Sequence, residues 1–109
     1  MKIDKTINHS LDTIHHIAIQ VKNISESVDW YQSNYTCEIT YQDDSWAMLK
    51  FANTYLALVL PEQHPYHFAI LTDDLSPYGD AVPHRDGTAS VYIKDKDGNN
   101  VEMLTLPEE

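Results

Sequence analysis

From Ile14 to Val21 the chain alternates: Ile17, Ile19 and Val21 fall on one face, and His16, Ala18 and Gln20 on the other. That is the period of a strand with one covered face. By the same count His15 shares the side of Ile17 and Ile19 and points away from His16. The period then changes. Ile24, Val28, Tyr31 and Tyr35 recur at helical spacing, and Asn23 with Glu26 three residues on makes a capping box. Residues 37–42, 46–51 and 54–60 read as three more strands, parted by the turn formers Asp43-Asp44 and Asn53. Residues 13–61 thus form a βαβββ unit whose helix lays its apolar stripe on the sheet.

A second unit spans 64–106. Residues 66–72 start it as a strand, and residues 88–94 and 100–106 close it as two strands joined at Asp97-Gly98, a strong hairpin dipeptide. Where its helix belongs, Leu75 to Gly87 carries Pro77, Gly79, Pro83 and Gly87 and no helical stripe, which predicts an irregular loop. The expected architecture is α+β: one domain of two βαβββ-type units with cupped mixed sheets, the second lacking its helix. Phe68, Ile70, Val91, Ile93, Val101 and Met103 fall on the face that the missing helix leaves open. Exposed apolar sheet of that extent predicts a homodimer. Only the first ten or so and the last few residues are expected to fray.

Composition narrows the partners. With 17 Asp and Glu against 7 Lys and Arg, the net charge is -10, which argues against nucleic acid, against an anionic membrane surface and against steering of anions. No apolar stretch approaches the ~18 residues of a membrane helix. Residues 1–12 have no apolar centre of a signal peptide, and Cys37, the sole cysteine, has no internal disulfide partner. A cytoplasmic protein is expected. Cys37 also lacks a neighbouring cation to activate it and reads as a structural thiol.

The candidate chemistry lies in a repeat. His16-Ile17-Ala18-Ile19 returns as His67-Phe68-Ala69-Ile70 about fifty residues later, and Glu102 sits in the strand after the Asp97-Gly98 turn. Two imidazoles and a carboxylate on a rigid sheet suit a divalent metal such as Mn(II), Fe(II), Ni(II) or Zn(II), with other positions left to substrate. His15, turned away by the alternation, and His64, in the loop before the strand, are weaker ligand candidates. Ser90, Tyr92 and Lys94 share one strand face, and hairpin pairing brings that face beside Glu102. All three are candidate substrate contacts, and the Tyr92 hydroxyl is a candidate catalytic donor to a developing oxyanion. Gln20 and Trp46 are candidate lining residues. Lys94 and Arg85 are the cations nearest the opening, where a solvated charge is the simpler reading, and His84-Arg85-Asp86-Gly87 reads as ordinary loop.

These residues resemble the vicinal oxygen chelate superfamily, which includes glyoxalase I, extradiol dioxygenases, fosfomycin resistance thiol transferases and bleomycin-binding proteins. The likeness covers about residues 13–106. His16-Ile17-Ala18-Ile19-Gln20-Val21 with Trp30-Tyr31 is similar to the family's opening strand and helix. Ser90-Val91-Tyr92-Ile93 through Asp95-Lys96-Asp97-Gly98 to Glu102 is similar to its closing hairpin. The resemblance implies metal ligands at His16, His67 and Glu102, two cups facing a shared site, and sites often built from the paired units of two chains. It implies a small metal-dependent enzyme acting on a small oxygen-bearing substrate as isomerase or lyase, transferase or dioxygenase. The alternatives are a metal-free protein that sequesters a small molecule, as bleomycin-binding members do, and a degenerate interaction module.

Departures narrow this further. Ala57 stands where glyoxalase I has its fourth ligand, and Ala18 where the fosfomycin transferases have a catalytic threonine, so neither activity is expected. Lys96 replaces the usual turn proline. Thr36 replaces the glycine that normally ends the helix, which predicts strain there if the residue is left-handed.

Overall fold

The computed structural model describes residues 11–107. Its elements are β1 (Ile14–Gln20), α1 (Ile24–Asn34), β2 (Glu38–Gln42), β3 (Trp46–Lys50), β4 (Tyr55–Val59), β5 (His67–Leu71), β6 (Val82–Pro83), β7 (Ala89–Lys94) and β8 (Asn100–Thr105). All eight strands join one mixed sheet in the order β2-β3-β4-β1-β5-β8-β7-β6. The order is internally symmetric. β1 runs parallel to β4 as β5 does to β8, and the two units meet where β1 and β5 pair antiparallel.

The Asn23 side chain accepts from the Glu26 N–H at 2.9 Å and caps α1 as the spacing requires. Ile24 and Val28 are buried against Ala47, Leu49 and Leu58, each contributing on the order of 1.5–3 kcal/mol through apolar burial. The helix ends through Tyr35, which is already extended (φ -139°, ψ 158°) while its N–H still bonds the Tyr31 carbonyl. No helix among the described residues is long and apolar enough to cross a membrane.

Three expectations need correction. The alternation buries Ile17, yet Ile17 is 48% exposed and Ile14 55%. The reason is reach: α1 lies over β3 and β4, whereas Ile17 pairs with Phe68 on β5, in the unit that has no helix. The loop after β5 is more ordered than its composition suggests. It contains β6, which adds to the sheet edge through Val82–Ser90 and Pro83–Ala89 pairing, a place where a proline's missing N–H costs no ladder bond. It also buries Leu75 against Val101 and Met103, with Phe68, Ile70, Val91 and Ile93 packed around them. The face expected to lie bare is therefore partly covered by the chain's own loop.

The sheet curls until its ends approach. The Arg85 guanidinium, in the β6–β7 turn, sits 2.9 Å from an Asp43 carboxylate oxygen and donates to Ser45 Oγ at 2.6 Å in the β2–β3 turn. At the β7–β8 turn Gly98 takes φ +88°, which favours glycine, and the Asp95 carboxylate accepts from the N–H groups of Asp97 and Asn99. That turn fixes the register that sets Tyr92 opposite Glu102.

Candidate metal centre

Three neighbouring strands supply the centre. His16 on β1 is opposite Ala69 on β5, and Ala69 is opposite Glu102 on β8, so the row reads His16–Ala69–Glu102 across the sheet. His67 lies two residues before Ala69 on the same face. The methyl group of Ala69 leaves room for the longer side chains to meet above it. They do: Nε2 of His16 lies 3.1 Å and Nε2 of His67 3.2 Å from the same oxygen, Glu102 Oε1. The three donor atoms lie within 4.8 Å of one another, and all three residues are buried.

The donor set suits a cation. His67 Nδ1 is 2.8 Å from the Pro65 carbonyl, which can only accept, so that nitrogen carries a proton. A neutral His67 then presents its Nε2 lone pair to a carboxylate oxygen, an arrangement that calls for a positive charge between them. His16 repeats the pattern, with Nδ1 2.8 Å from Nδ1 of His15. Burial pushes the Glu102 carboxyl pKa up, but the polar side chains of His16, His67 and Ser90 around it outweigh that and hold the group well below the usual carboxylate range. Glu102 is therefore an anion. Burial, and secondarily the neighbouring His16, lowers the pKa of His15, which favours the neutral ring that can accept from His16.

The other predicted site residues divide. Tyr92 and Trp46 line the cavity beside the triad. The Tyr92 hydroxyl is 3.0 Å from His64 Nδ1 and 3.4 Å from His67 Nε2; burial and then the Glu102 charge raise its pKa, so it remains a protonated donor. Trp46 stacks on Tyr41 at 4.2 Å between centroids. Ser90 lies beneath the site rather than in it, 2% exposed, with Oγ 2.7 Å from His84 Nε2. Gln20 donates to the His64 carbonyl at 2.9 Å and so holds the loop that carries His64. Lys94 is exposed and donates to Asn100 at 2.7 Å.

Sequence reasoning missed two histidines here. His15 lines the cavity instead of pointing to the helix side, because the β1–β5 register shifts between Ile14 and His16, and a bulge of this kind redirects one side chain without leaving a mark in the hydrophobic pattern. His84 and Arg85, read as ordinary loop, reach the cavity as well, and so does His64. The cavity encloses about 190 Å³. One side is polar, with the triad, His15, His64, His84 and Tyr92; the other is apolar, with Trp46, Met48, Ala57, Val59 and Leu104.

No family model and no curated protein matches the sequence. Solved structures do match. A Streptomyces coelicolor methylmalonyl-CoA epimerase variant in complex with 2-nitronate-propionyl-CoA aligns with a TM-score of 0.75 at 20% identity over 90% of this chain and 99% of that one. A methylmalonyl-CoA epimerase from Mycobacterium tuberculosis gives 0.68 at 16% identity over 87% and 88%. A hypothetical protein from Bacillus halodurans gives 0.73 at 17% identity over 90% and 96%. The epimerases are members of the vicinal oxygen chelate superfamily. The chain has the vicinal oxygen chelate fold. In that fold the symmetric pairing about β1 and β5 brings His16, His67 and Glu102 to a common point on the concave face.

Proposed function

We propose that the chain is a small metal-dependent enzyme in which His16, His67 and Glu102 hold one divalent cation, Mn(II), Fe(II), Ni(II) or Zn(II), beside a pocket for a small oxygen-bearing substrate. The observation that carries this reading is the convergence of two buried histidine Nε2 atoms on one buried carboxylate oxygen. Such an ion, when bound, supplies Lewis-acid polarisation of a substrate oxygen. The protein's own groups do the rest. Tyr92, kept protonated, donates to negative charge growing on that oxygen. His64, whose pKa burial and then neighbouring His67 lower, stays neutral beside it and able to accept a proton. Trp46, Met48 and Val59 receive the apolar body of the substrate and exclude water.

This favours proton-transfer chemistry next to a carbonyl, the isomerase class to which the epimerases belong, over the transferase and dioxygenase alternatives. It does not favour their CoA esters. A cavity of about 190 Å³ is little larger than the ~150 Å³ that holds benzene in a protein core. The one arginine at its rim is already paired with Asp43, with Asp86 alongside. A polyanionic CoA moiety finds little compensating charge there, whereas a compact neutral substrate meets no such penalty. A homodimer remains part of the proposal: Ile14, Ile17 and Tyr66, at 55%, 48% and 59% exposure, leave an apolar strip beyond the reach of Leu75. A cytoplasmic location accords with the composition.

The test is metal content. Protein purified without a histidine tag should carry near-stoichiometric divalent metal or take it up in calorimetry, and His67→Ala should abolish the uptake. A wild type that ignores Mn(II), Ni(II) and Zn(II) would leave the sequestering protein as the better reading, with the stacked Trp46 and Tyr41 as its binding surface.

A further inference from the structure

The cavity is walled by two arms of the sheet that share a floor. Trp46, Met48 and Val59 face it from β3 and β4, and Pro83, His84 and Arg85 face it from β6 and the turn that follows. The proposed metal ligands stand between these arms, on β1, β5 and β8. The width of the cavity is therefore the separation of the arms. Strand pairing alone does not close that gap, because β2 and β6 end the sheet and each pairs on one side only. Among the described residues, the hydrogen bond and the ion pair that cross from β2–β4 and their turns to β6–β7 both belong to Arg85.

Both ends of this tie are firmly built. Asp43 Oδ1 accepts from the Ser45 N–H at 2.8 Å, from Ser45 Oγ at 2.9 Å and from the Trp46 N–H at 3.1 Å. Its Oδ2 accepts from the Tyr41 hydroxyl at 2.6 Å. Tyr41 stacks on Trp46, so Asp43 moves with the apolar wall. Opposite, the turn that carries Arg85 is closed by the His84 N–H on the Thr88 carbonyl at 2.8 Å, and Asp86 Oδ1 accepts from the Thr88 N–H at 3.0 Å and from its Oγ at 2.7 Å. Between the two turns Arg85 Nη1 lies 2.9 Å from Asp43 Oδ2, and Nη2 donates to Ser45 Oγ at 2.6 Å. The planar fork of an arginine can take two partners on one turn, where a lysine offers a single point charge.

We propose that Arg85 and Asp43 determine the size specificity of the cavity: together they hold the arms at a width that suits a compact ligand, and a bulkier one enters only by breaking their bonds. This deepens the reading of the cavity as a substrate pocket and rests on it. Neither side chain takes part in the proposed chemistry; both act through the walls they tie together. The limit is a soft one. The Arg85 side chain is 60% exposed and that of Asp43 28%, and the discrimination that such a solvent-facing pair imposes is at most ~5-fold.

The experiment uses the full chain loaded with Co(II), whose visible bands report the binding of two oxygen chelators of unequal bulk, acetohydroxamate and naphthohydroxamate. Arg85→Gln and Asp43→Asn should each improve the affinity for naphthohydroxamate relative to acetohydroxamate, by up to ~5-fold. Arg85→Lys, which keeps the charge and loses the fork, should fall between them and the wild type. Raising the salt from about 0.1 M to about 1 M screens an exposed pair, so it should shift the same ratio in the wild type and leave it still in Arg85→Gln. A second readout needs no metal. In a Trp30→Phe background Trp46 is the remaining tryptophan, and acrylamide should quench it more strongly in Arg85→Gln than in the wild type, with thermal unfolding showing both to be folded. A chelator ratio that neither the variants nor salt can move would overturn the proposal. If Asp43→Asn fails to fold, Arg85→Gln decides on the same ratio. A wild type that takes up no Co(II) defeats the metal reading, and the quenching then decides by itself: equal quenching in the two proteins removes the tie as well.

Discussion

The two halves of the sheet have nearly the same strands but different covers, and the difference lies in where their connecting segments go. In the first unit the connection after β1 is α1, and all of its buried surface faces one side, against Leu49 and Leu58. In the second the connection after β5 works on both sides. Leu75 packs on the convex face against Val101 and Met103; β6 then rounds the edge, and His84 and Arg85 arrive on the concave face at the cavity. A helix is a thick, regular cover that stays on one side of the sheet. An irregular segment covers less but can carry side chains to the other side, and this chain places His84 and Arg85 by that route.

Core truncations test this contrast most strongly. Leu58→Ala, beneath the helix and without exposure, should cost about 2–5 kcal/mol in denaturant unfolding, the range for a cavity in a packed core. Leu75→Ala should cost less, near the lower end of that range, because the loop can settle around the gap. Equal losses would mean that the loop is as integral to the core as the helix.

The next effect is at the seam between the units, where β1 supplies His16 while β5 and β8 supply His67 and Glu102. His67→Ala should lower metal affinity by more than the ~100-fold that an outer partner can cost, measured by calorimetry, with little change in the folding of the helical half. If metal binding survived, the seam would not be the site.

Smaller again is the open strip. Ile17→Lys should leave the monomer folded, since Ile17 is 48% exposed, and should dissociate a dimer built on that strip. Light scattering would report 12.5 kDa in place of twice that mass. A wild type that is already monomeric would show the loop to be cover enough.

The smallest effect is at the clasp between the sheet's two ends. Burial opposes ionisation of Asp43, but hydrogen bonds from Tyr41, Ser45 and Trp46 prevail and hold its carboxyl below the usual range. A carboxyl depressed on folding stabilises the protein above its unfolded pKa, about 3.9, and loses that contribution as pH falls toward its folded value. Asp43→Asn should therefore be slightly less stable than wild type at neutral pH, and the two should converge as pH drops below about 4. Unfolding midpoints across pH would show it. The exposed ion pair with Arg85 should add less than about 1 kcal/mol.

Much of this was legible in the sequence because the relevant signals are local. The helical spacing from Ile24 to Tyr35, the Asn23 cap and the Asp97-Gly98 turn are each set by neighbouring residues, and all hold. The triad was legible because matched strands at matched places bring like residues to like positions. What failed depends on distant partners. The bulge that turns His15 into the cavity is a property of β1 against β5. Leu75 is one apolar residue among prolines and glycines, and nothing local says that it finds Val101. His84 follows a two-residue strand formed only because Ser90 is there to pair with it.

One further consequence comes from residues that do nothing chemical. Ala69 separates His16 from Glu102, and Ala18 lies between Ala57 and His67 in the ladders; all three alanines are almost wholly buried. They act as clearance. Each methyl fixes how far a neighbouring imidazole or carboxylate can lean, so the width of the donor triangle is set by what lies beneath it as much as by the donors. Valine at position 69 would put two more carbons under the meeting point, and such overpacking costs typically 1–3 kcal/mol. The span of this centre is thus tunable through a residue that never touches an ion, and a series of small side chains at 69 offers a ruler for how tightly the site must close.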